Sequence, residues 1–272
     1  MKGSKKMNDI KTLAKWIDKC KKITFITGAG FSVPSNIPDF KGTEGRWKEE
    51  SKKDGKKVIS RETYISEGFY NASPKEFWRK YKEIFNIKLA GNYEPNEAHE
   101  FITELSKNGK EVHVLTQNVD GLHTKALNPN VIEIHGTLNI AYCPKCKRVY
   151  DLEYILKDEV PRCNREASKG LCNFILKPDV VLYGGAIRGF NEAEKILDET
   201  ELLIVAGTSL EVGPVNTLPR YFRYVMNDWE VNEPKMAVIS LEPTQKDNLF
   251  PVVIHRDIVE TVKLLKEEMK QL

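Results

Sequence analysis

Three groups of residues in this chain are spaced for chemistry. The first follows an apolar run over 23–27, which ends in Gly28-Ala29-Gly30-Phe31-Ser32 and continues to Ile37-Pro38-Asp39-Phe40-Lys41. Glycine lets a backbone pass close to an anion, and amides opening a following helix add donors and a favourable dipole. Such a loop suits the pyrophosphate of a dinucleotide. Val33 stands where the third glycine of the usual fingerprint falls, so the same residues also fit a tight strand-to-helix turn without a ligand.

The second group is polar and lies where apolar runs stop. Thr116-Gln117-Asn118-Val119-Asp120-Gly121-Leu122-His123 follows 112–116, His135-Gly136 follows 131–134, and Gly207-Thr208-Ser209 follows 202–206. In an open α/β sheet the ligand crevice lies beyond the carboxyl ends of the strands, so these groups converge with the glycine loop on one crevice. There amides and carboxylates suit a sugar, hydroxyls suit a phosphate or ribose, and a histidine is a general base at neutral pH. Each taken singly also reads as a turn former or a hydrogen-bonded structural histidine.

The third group is Cys143, Cys146, Cys163 and Cys172, with 16 residues between the pairs and eight inside the second pair. Four thiolates saturate a tetrahedral zinc and leave no position for water, so the metal would fold a segment too small for a core of its own. A zinc ribbon bearing Lys145, Lys147, Arg148, Tyr142 and Tyr150 also fits a nucleic-acid-binding module.

The elements that must position these groups alternate along 272 residues. Short apolar runs at 23–27, 112–116, 131–134, 180–182, 202–206, 236–240 and 252–254 read as strands covered on both faces. Helical spacing appears at 8–21, 96–107, 191–199, 214–227 and 258–270. The alternation predicts an α/β fold, a Rossmann-like doubly wound parallel sheet. Two segments, 42–91 and 142–177, break the rhythm and are expected to form a small lobe. Lys plus Arg number 42 against 39 Asp plus Glu, a net charge of +3, which gives no bias toward nucleic acid or membrane. No apolar stretch reaches membrane-spanning length, the N-terminus lacks a signal-peptide core, and the cysteines suit a metal site in a reducing compartment. A cytoplasmic protein is expected, with no membrane partner and no specific nucleic acid.

Taken together, these motifs and Lys177-Pro178-Asp179-Val180-Val181 resemble those of the sirtuins, NAD-dependent protein lysine deacylases, over nearly the full length. The resemblance implies a Rossmann-type NAD-binding lobe from 8–41, 95–140 and 178–272, with a helical insertion at 42–94 and a zinc ribbon at 141–177 forming the small lobe. It implies NAD contacts from Gly28, Ala29, Gly30, Ser32, Ile37, Asp39, Phe40, Lys41, Gln117, Asn118, Asp120, Gly207, Thr208, Ser209, Ser240 and Ile258. His135 would be the proton acceptor, with Asn118 and Asp120 beside it, and Cys143, Cys146, Cys163 and Cys172 would hold one structural zinc. Acylated lysine of a protein would enter as an extended strand on Val181, Leu182, Tyr183 and Gly184 and near Gly213. The implied reaction moves the acyl group onto ADP-ribose and releases nicotinamide.

Several positions depart from the family pattern. Asn36 stands for a glycine, Lys41 for an arginine, Gly185 for a frequent glutamate and Ser240 for an asparagine. Tyr81 is followed by Ile84, where a desuccinylase subclass carries an arginine, so acetyl or longer apolar acyl groups are expected over acidic ones. Mono-ADP-ribosyl transfer, NAD hydrolysis and plain NAD sensing remain alternatives on sequence alone.

Overall fold

The computed structural model describes residues 2–37, 60–90, 93–168, 170–211, 213–228 and 234–272. The strands are β1 (Lys22–Thr27), β2 (Glu111–Thr116), β3 (Val131–Glu133), β4 (Ile140–Tyr142), β5 (Val149–Asp151), β6 (Glu166–Ala167), β7 (Gly170–Leu171), β8 (Lys177–Pro178), β9 (Leu202–Ala206), β10 (Met236–Ser240) and β11 (Val252–His255). The helices are α1 (Lys2–Lys19), α2 (Arg61–Tyr64), α3 (Glu67–Ala72), α4 (Pro74–Ala90), α5 (Glu97–Lys107), α6 (Leu122–Lys125), α7 (Leu152–Lys157), α8 (Phe190–Asp198), α9 (Leu218–Asp228) and α10 (Ile258–Met269).

Six strands form one sheet in the order β11-β10-β9-β1-β2-β3, parallel throughout. Side chains alternate between its faces, as the strand period requires. Ile23, Phe25, Val112, Val114, Leu202, Ile204, Ala237 and Ile239 enter a core shared with α1, α5 and α10. Ile26, Leu115, Leu203, Val205, Met236 and Val238 enter the opposite core, under α8 and α9. Both faces are therefore dry, which explains the nearly continuous apolar runs.

The chain builds outward from β1 through β2 to β3, then returns to the other side of β1 with β9. This reversal puts the topological switch point between β1 and β9, and parallel register brings every strand's carboxyl end to one edge. Thr27 is level with both Thr116 and Ala206, and Thr116 with Glu133.

A second, antiparallel sheet has the order β5-β4-β8, with β6 and β7 as a separate hairpin. Its side chains Ala141 and Tyr150, with Leu176 just before β8, share a third core with Tyr70, Phe77, Trp78, Tyr81 and Phe85 of the helices over 61–90. Trp78 Nε1 donates to Leu176 O at 2.6 Å, tying the two segments together.

Two sequence expectations are corrected. Residues 180–182 are not a strand: Val181 N–H donates to His135 O at 2.8 Å and Tyr183 N–H to Ile65 O at 3.0 Å, so the segment is divided between two neighbours and builds no ladder. The turn after β1 opens no long helix. It forms two 3₁₀ turns, Ala29–Phe31 and Val33–Ser35, the second with Pro34 in its opening positions and left-handed Asn36 as its C-cap. Cys20 is a fully buried free thiol whose pKa is raised by that burial.

The close approach of the loops after β1 and β9 makes Gly207 irreplaceable. It sits at φ +66, and a Cβ there would fall 2.2 Å from Phe31 N. Gly207→Ala is expected to cost about 2 kcal/mol or more, roughly 4–8 °C in Tm for a chain of this size. Gly109→Ala, also left-handed but with nothing within 4 Å, should cost about 1 kcal/mol from backbone strain alone. Thermal unfolding of the two variants side by side checks the difference.

Candidate active site

The loops after β1 and β9 are hydrogen-bonded to each other at the switch point. Gly28 N–H donates to Ala206 O at 3.2 Å and Gly30 N–H to Gly207 O at 2.8 Å, so both amides serve this junction. The two glycines are therefore required by loop against loop before any ligand arrives. Ala29 and Gly30 are half-buried and Ser209 is exposed.

The segment after β2 crosses beneath that junction. Asn118 Nδ2 donates to Gly28 O and to Ser32 Oγ, each at 3.0 Å, and Asn118 N–H to Thr116 Oγ1 at 3.0 Å. Gln117 Nε2 reaches Thr208 Oγ1 at 3.0 Å, bridging the loops after β2 and β9. Asp120 Oδ1 accepts from Leu122 N–H at 3.0 Å and so starts α6.

His135 stands just past β3. Its Nδ1 lies 3.1 Å from Gln117 O, and since a carbonyl oxygen only accepts, Nδ1 carries the proton and Nε2 keeps its lone pair. Burial lowers the imidazole pKa from the ordinary 6.5, with the Gln117 carbonyl opposing. The ring is therefore neutral at pH 7, with its basic nitrogen left for another group. Glu133, two residues earlier, is pushed up to about 7 by burial and by the nearby Asp179 and Asp120.

A buried polar support lies behind the glycine loop and was not read from the sequence. Asn96 caps α5, its Oδ1 accepting from Ala98 N–H at 3.0 Å, while its Nδ2 donates to Phe31 O at 2.9 Å and Ser35 Oγ at 3.0 Å. His99 Nδ1 accepts from Asn96 N–H at 3.3 Å, completing a capping box. His123 lies 4.7 Å from the His99 ring, with Nδ1 2.6 Å from Asn128 Oδ1 and Nε2 2.9 Å from Thr27 Oγ1. Asn and His three residues apart at a predicted helix start was the available signal.

The remaining predicted residues are scattered by comparison. Asp39, Phe40 and Lys41 lie outside the described residues. Ile37 is 2% exposed. Ser240 is buried at the end of β10 and its hydroxyl donates to Glu242 O at 2.7 Å, so it is already engaged in its own turn. Ile258 is buried in the core at the start of α10. In the expected peptide segment, Val181 N–H, Tyr183 N–H and Tyr183 O are used internally, the last by Glu67 N–H at 3.0 Å. Leu182 and Gly184 N–H have no backbone acceptor among the described residues, while Leu182 O accepts from Gly185 N–H at 2.8 Å in a turn. Gly213 lies in the turn before the short helix Val215–Thr217.

Two departures from the sirtuin pattern have local causes. Asn36 adopts φ +63, a left-handed conformation that asparagine holds more readily than other residues with a side chain. At Gly185 a Cβ would lie 3.2 Å from Glu67 Oε1, whose carboxylate is held by Lys177 Nζ at 2.7 and 2.8 Å. A glutamate at 185 would bring a second carboxylate against the first.

The four cysteine sulfurs lie within 4.8 Å of one another. Cys143 and Cys172 Sγ are 3.7 Å apart and Cys146 and Cys163 Sγ 3.5 Å, close to the ~3.8 Å edge of a tetrahedron with zinc–sulfur bonds of about 2.3 Å. Tyr150 OH donates to Cys163 Sγ at 3.0 Å and Cys146 N–H to Cys143 Sγ at 3.4 Å, donors that favour thiolates. The donor set fits a structural zinc with no open position.

Known proteins agree with this arrangement. A sequence model of the Sir2 family matches residues 28–214. The chain is 40% identical over 264 residues to NAD-dependent protein deacetylase 2 of Geobacillus kaustophilus (strain HTA426), covering 97% of this chain and 99% of that one. It is 40% identical over 257 residues to the NAD-dependent protein deacetylase of Bacillus subtilis (strain 168), covering 94% and 98%. Among solved structures, a Sir2 complex with a deacetylated p53 peptide and 3′-O-acetyl-ADP-ribose superimposes with a TM-score of 0.78 at 29% identity, covering 95% of this chain and 98% of that one. A Sir2 complex with p53 peptide and NAD+ gives 0.77 at 28% identity, covering 97% and 99%. With this family model and these relatives matched over most of its length, and with a parallel six-stranded sheet and a four-cysteine cluster, the chain belongs to the Sir2 family.

Proposed function

We infer that the chain is an NAD-dependent protein lysine deacylase, with protein acyl-lysine as substrate and nicotinamide and O-acyl-ADP-ribose as products. The observation that carries the reading is the His135 ring, proton on Nδ1 and lone pair on Nε2, held by the carbonyl of Gln117, whose side chain bridges to Thr208 in the loop after β9. NAD, when bound, supplies the electrophilic ribose carbon that the acyl oxygen attacks as nicotinamide leaves. His135 Nε2 would take a proton from a ribose hydroxyl, whose oxygen attacks the acyl carbon; the bond from that carbon to the lysine nitrogen then breaks, lysine leaves as the free amine, and one water is consumed in giving O-acyl-ADP-ribose. Asn118 and Asp120 face charge that builds on the ribose, in a crevice where low dielectric strengthens their effect. The glycine loop through Ser32 and the Gly207-Thr208-Ser209 turn hold the pyrophosphate and ribose, and the substrate backbone is received by the open N–H groups of Leu182 and Gly184.

We read 8–41, 95–140 and 178–272 as the NAD lobe, and 42–94 with 141–177 as the small lobe, on the strength of the separate third core. A cytoplasmic location rests on the four-thiol cluster, which needs a reducing compartment. Among the described residues no helix is long and apolar enough to cross a membrane. Tyr81, 2% exposed among Phe77, Trp78 and Phe85, has no arginine three residues on, so a neutral acyl group is favoured.

Purified protein should release nicotinamide only when NAD and an acetyl-lysine peptide are both present, and His135→Ala should lower kcat at least ~100-fold. Release without peptide would identify an NAD glycohydrolase, and ADP-ribose on the protein would identify a mono-ADP-ribosyltransferase. Because burial lowers the His135 pKa below 6.5, the base stays deprotonated as pH falls to that value. The acid limb of kcat should therefore lie below pH 6.5, and His135→Ala should remove it. Elemental analysis should find one zinc per chain, and Cys146→Ser should lose the metal and lower Tm. Succinyl-lysine peptide should react at least ~10-fold more slowly than acetyl-lysine peptide in kcat/KM, since an acidic group would be buried without a counter-ion.

A further inference from the structure

Residues 179–188 leave the base of the site and return to it. Asp179 N–H donates to Ile140 O at 3.1 Å and Arg188 N–H to Ile134 O at 3.1 Å, so both ends of the segment are fixed next to His135. Between them lie Val181 to Gly184, with Val181 N–H on His135 O at 2.8 Å.

The side chains at the two ends close the loop. Arg188 Nη1 meets Asp179 Oδ1 at 2.5 Å, and the other carboxylate oxygen accepts from Thr137 N–H at 3.3 Å. Asp179 also packs directly under the turn after the histidine. Gly136 has φ +72, and a Cβ there would fall 2.2 Å from Asp179 O. One ion pair thus touches the strand end before His135, the turn after it, and both ends of the loop that carries the expected peptide edge.

Asp179 is 8% exposed, so its carboxylate is buried beside half-buried Glu133. Arg188 is the cation facing both acids, and its side chain is 46% exposed on the outer side. There it lines a cavity of about 210 Å³ with Val180, Val181 and Gly185, next to the loop's outer edge. Exposed ion pairs are worth little, but a buried carboxylate that loses its cation is left uncompensated.

We propose that Asp179 and Arg188 form a positioning clamp that couples the seating of substrate peptide on residues 181–184 to the placement of the His135 imidazole. It rests on the deacylase reading above for His135 and the peptide edge. Neither residue touches the reacting atoms; both act through the backbone they hold.

The test uses the full chain with NAD and an acetyl-lysine peptide, and variants Arg188→Met, Arg188→Lys and Asp179→Asn whose folding is checked by thermal unfolding. Arg188→Met should lower kcat about 10-fold and raise peptide KM about 5-fold, with NAD KM changed less than 2-fold. Arg188→Lys should recover most of both, because a point charge at the same place keeps the pair. Asp179→Asn, which keeps an acceptor for Thr137, should match Arg188→Met, and the double variant should be no worse than either single one. Amide hydrogen exchange should quicken at Thr137 and Val181 in Arg188→Met. Unchanged kcat and peptide KM, or additive losses in the double variant, would overturn the clamp. So would NAD KM rising in step with peptide KM without rescue by lysine. Wild-type protein that shows no peptide-dependent nicotinamide release would instead overturn the deacylase reading, and the exchange rates would still report whether the pair holds the two backbones.

Discussion

The site depends on two strand-end loops meeting with no side chain between them. The loop after β1 and the loop after β9 leave adjacent parallel strands at the same level, and Gly30 N–H closes on Gly207 O at 2.8 Å. Everything else is arranged around that contact. Asn118 reaches Gly28 O because the β1 loop turns back toward β2, and Gln117 reaches Thr208 because the β9 loop lies within one side chain's length. Parallel pairing is what makes this possible, since an antiparallel neighbour would send its loop to the far edge of the sheet.

That constraint explains which parts of the fold were legible in the sequence. Strands buried on both faces read as apolar runs, and each of the six in the large sheet lies within a residue or two of its expected place. The polar groups after β1, β2, β3 and β9 were legible for the same reason, because a strand that ends at the switch-point edge delivers its next residues to the crevice. The small sheet was not. Its strands are two or three residues long, and Ala141, Tyr150 and Leu176 are packed by helices far away in sequence, so no periodicity could build up. Residues 180–182 misled in the other direction. Val180, Val181 and Leu182 have strand composition, but their backbone bonds go to different neighbours, a fact of tertiary context that propensity does not carry.

The small lobe depends on a different kind of cohesion. Leu171 and Phe174 are exposed beside the cysteines, and the hairpin of β6 and β7 has two residues on each side. Such a segment has little apolar area to bury, and a metal that gathers four thiolates replaces the missing core. The inner cysteines Cys143 and Cys163 belong to the third hydrophobic core, whereas Cys146 and Cys172 sit at its margin. The metal cluster therefore joins the ribbon to the helices over 61–90 as well as closing on itself. The eight-residue spacing of the second pair is accommodated by the β6–β7 hairpin that lies between Cys163 and Cys172.

Three histidines near the crevice show why a displaced pKa does not by itself identify a base. Burial lowers all three: His99 to about 2, His123 and His135 in the same direction. All are neutral at pH 7, and what separates them is where the lone pair points. His99 accepts at Nδ1 from Asn96 N–H, so its proton is on Nε2 and its basic nitrogen is already used. His123 has partners at both ring nitrogens, Asn128 and Thr27, and is 2% exposed. His135 alone has its N–H fixed by a carbonyl and its other nitrogen free on a half-buried ring. The first two hold the capping network under the glycine loop, and the third is left to take a proton. In sequence the three were the same residue type near strand or helix ends, and the hydrogen-bond pattern that divides structural from catalytic duty arises only when β1, β2 and α5 are brought together.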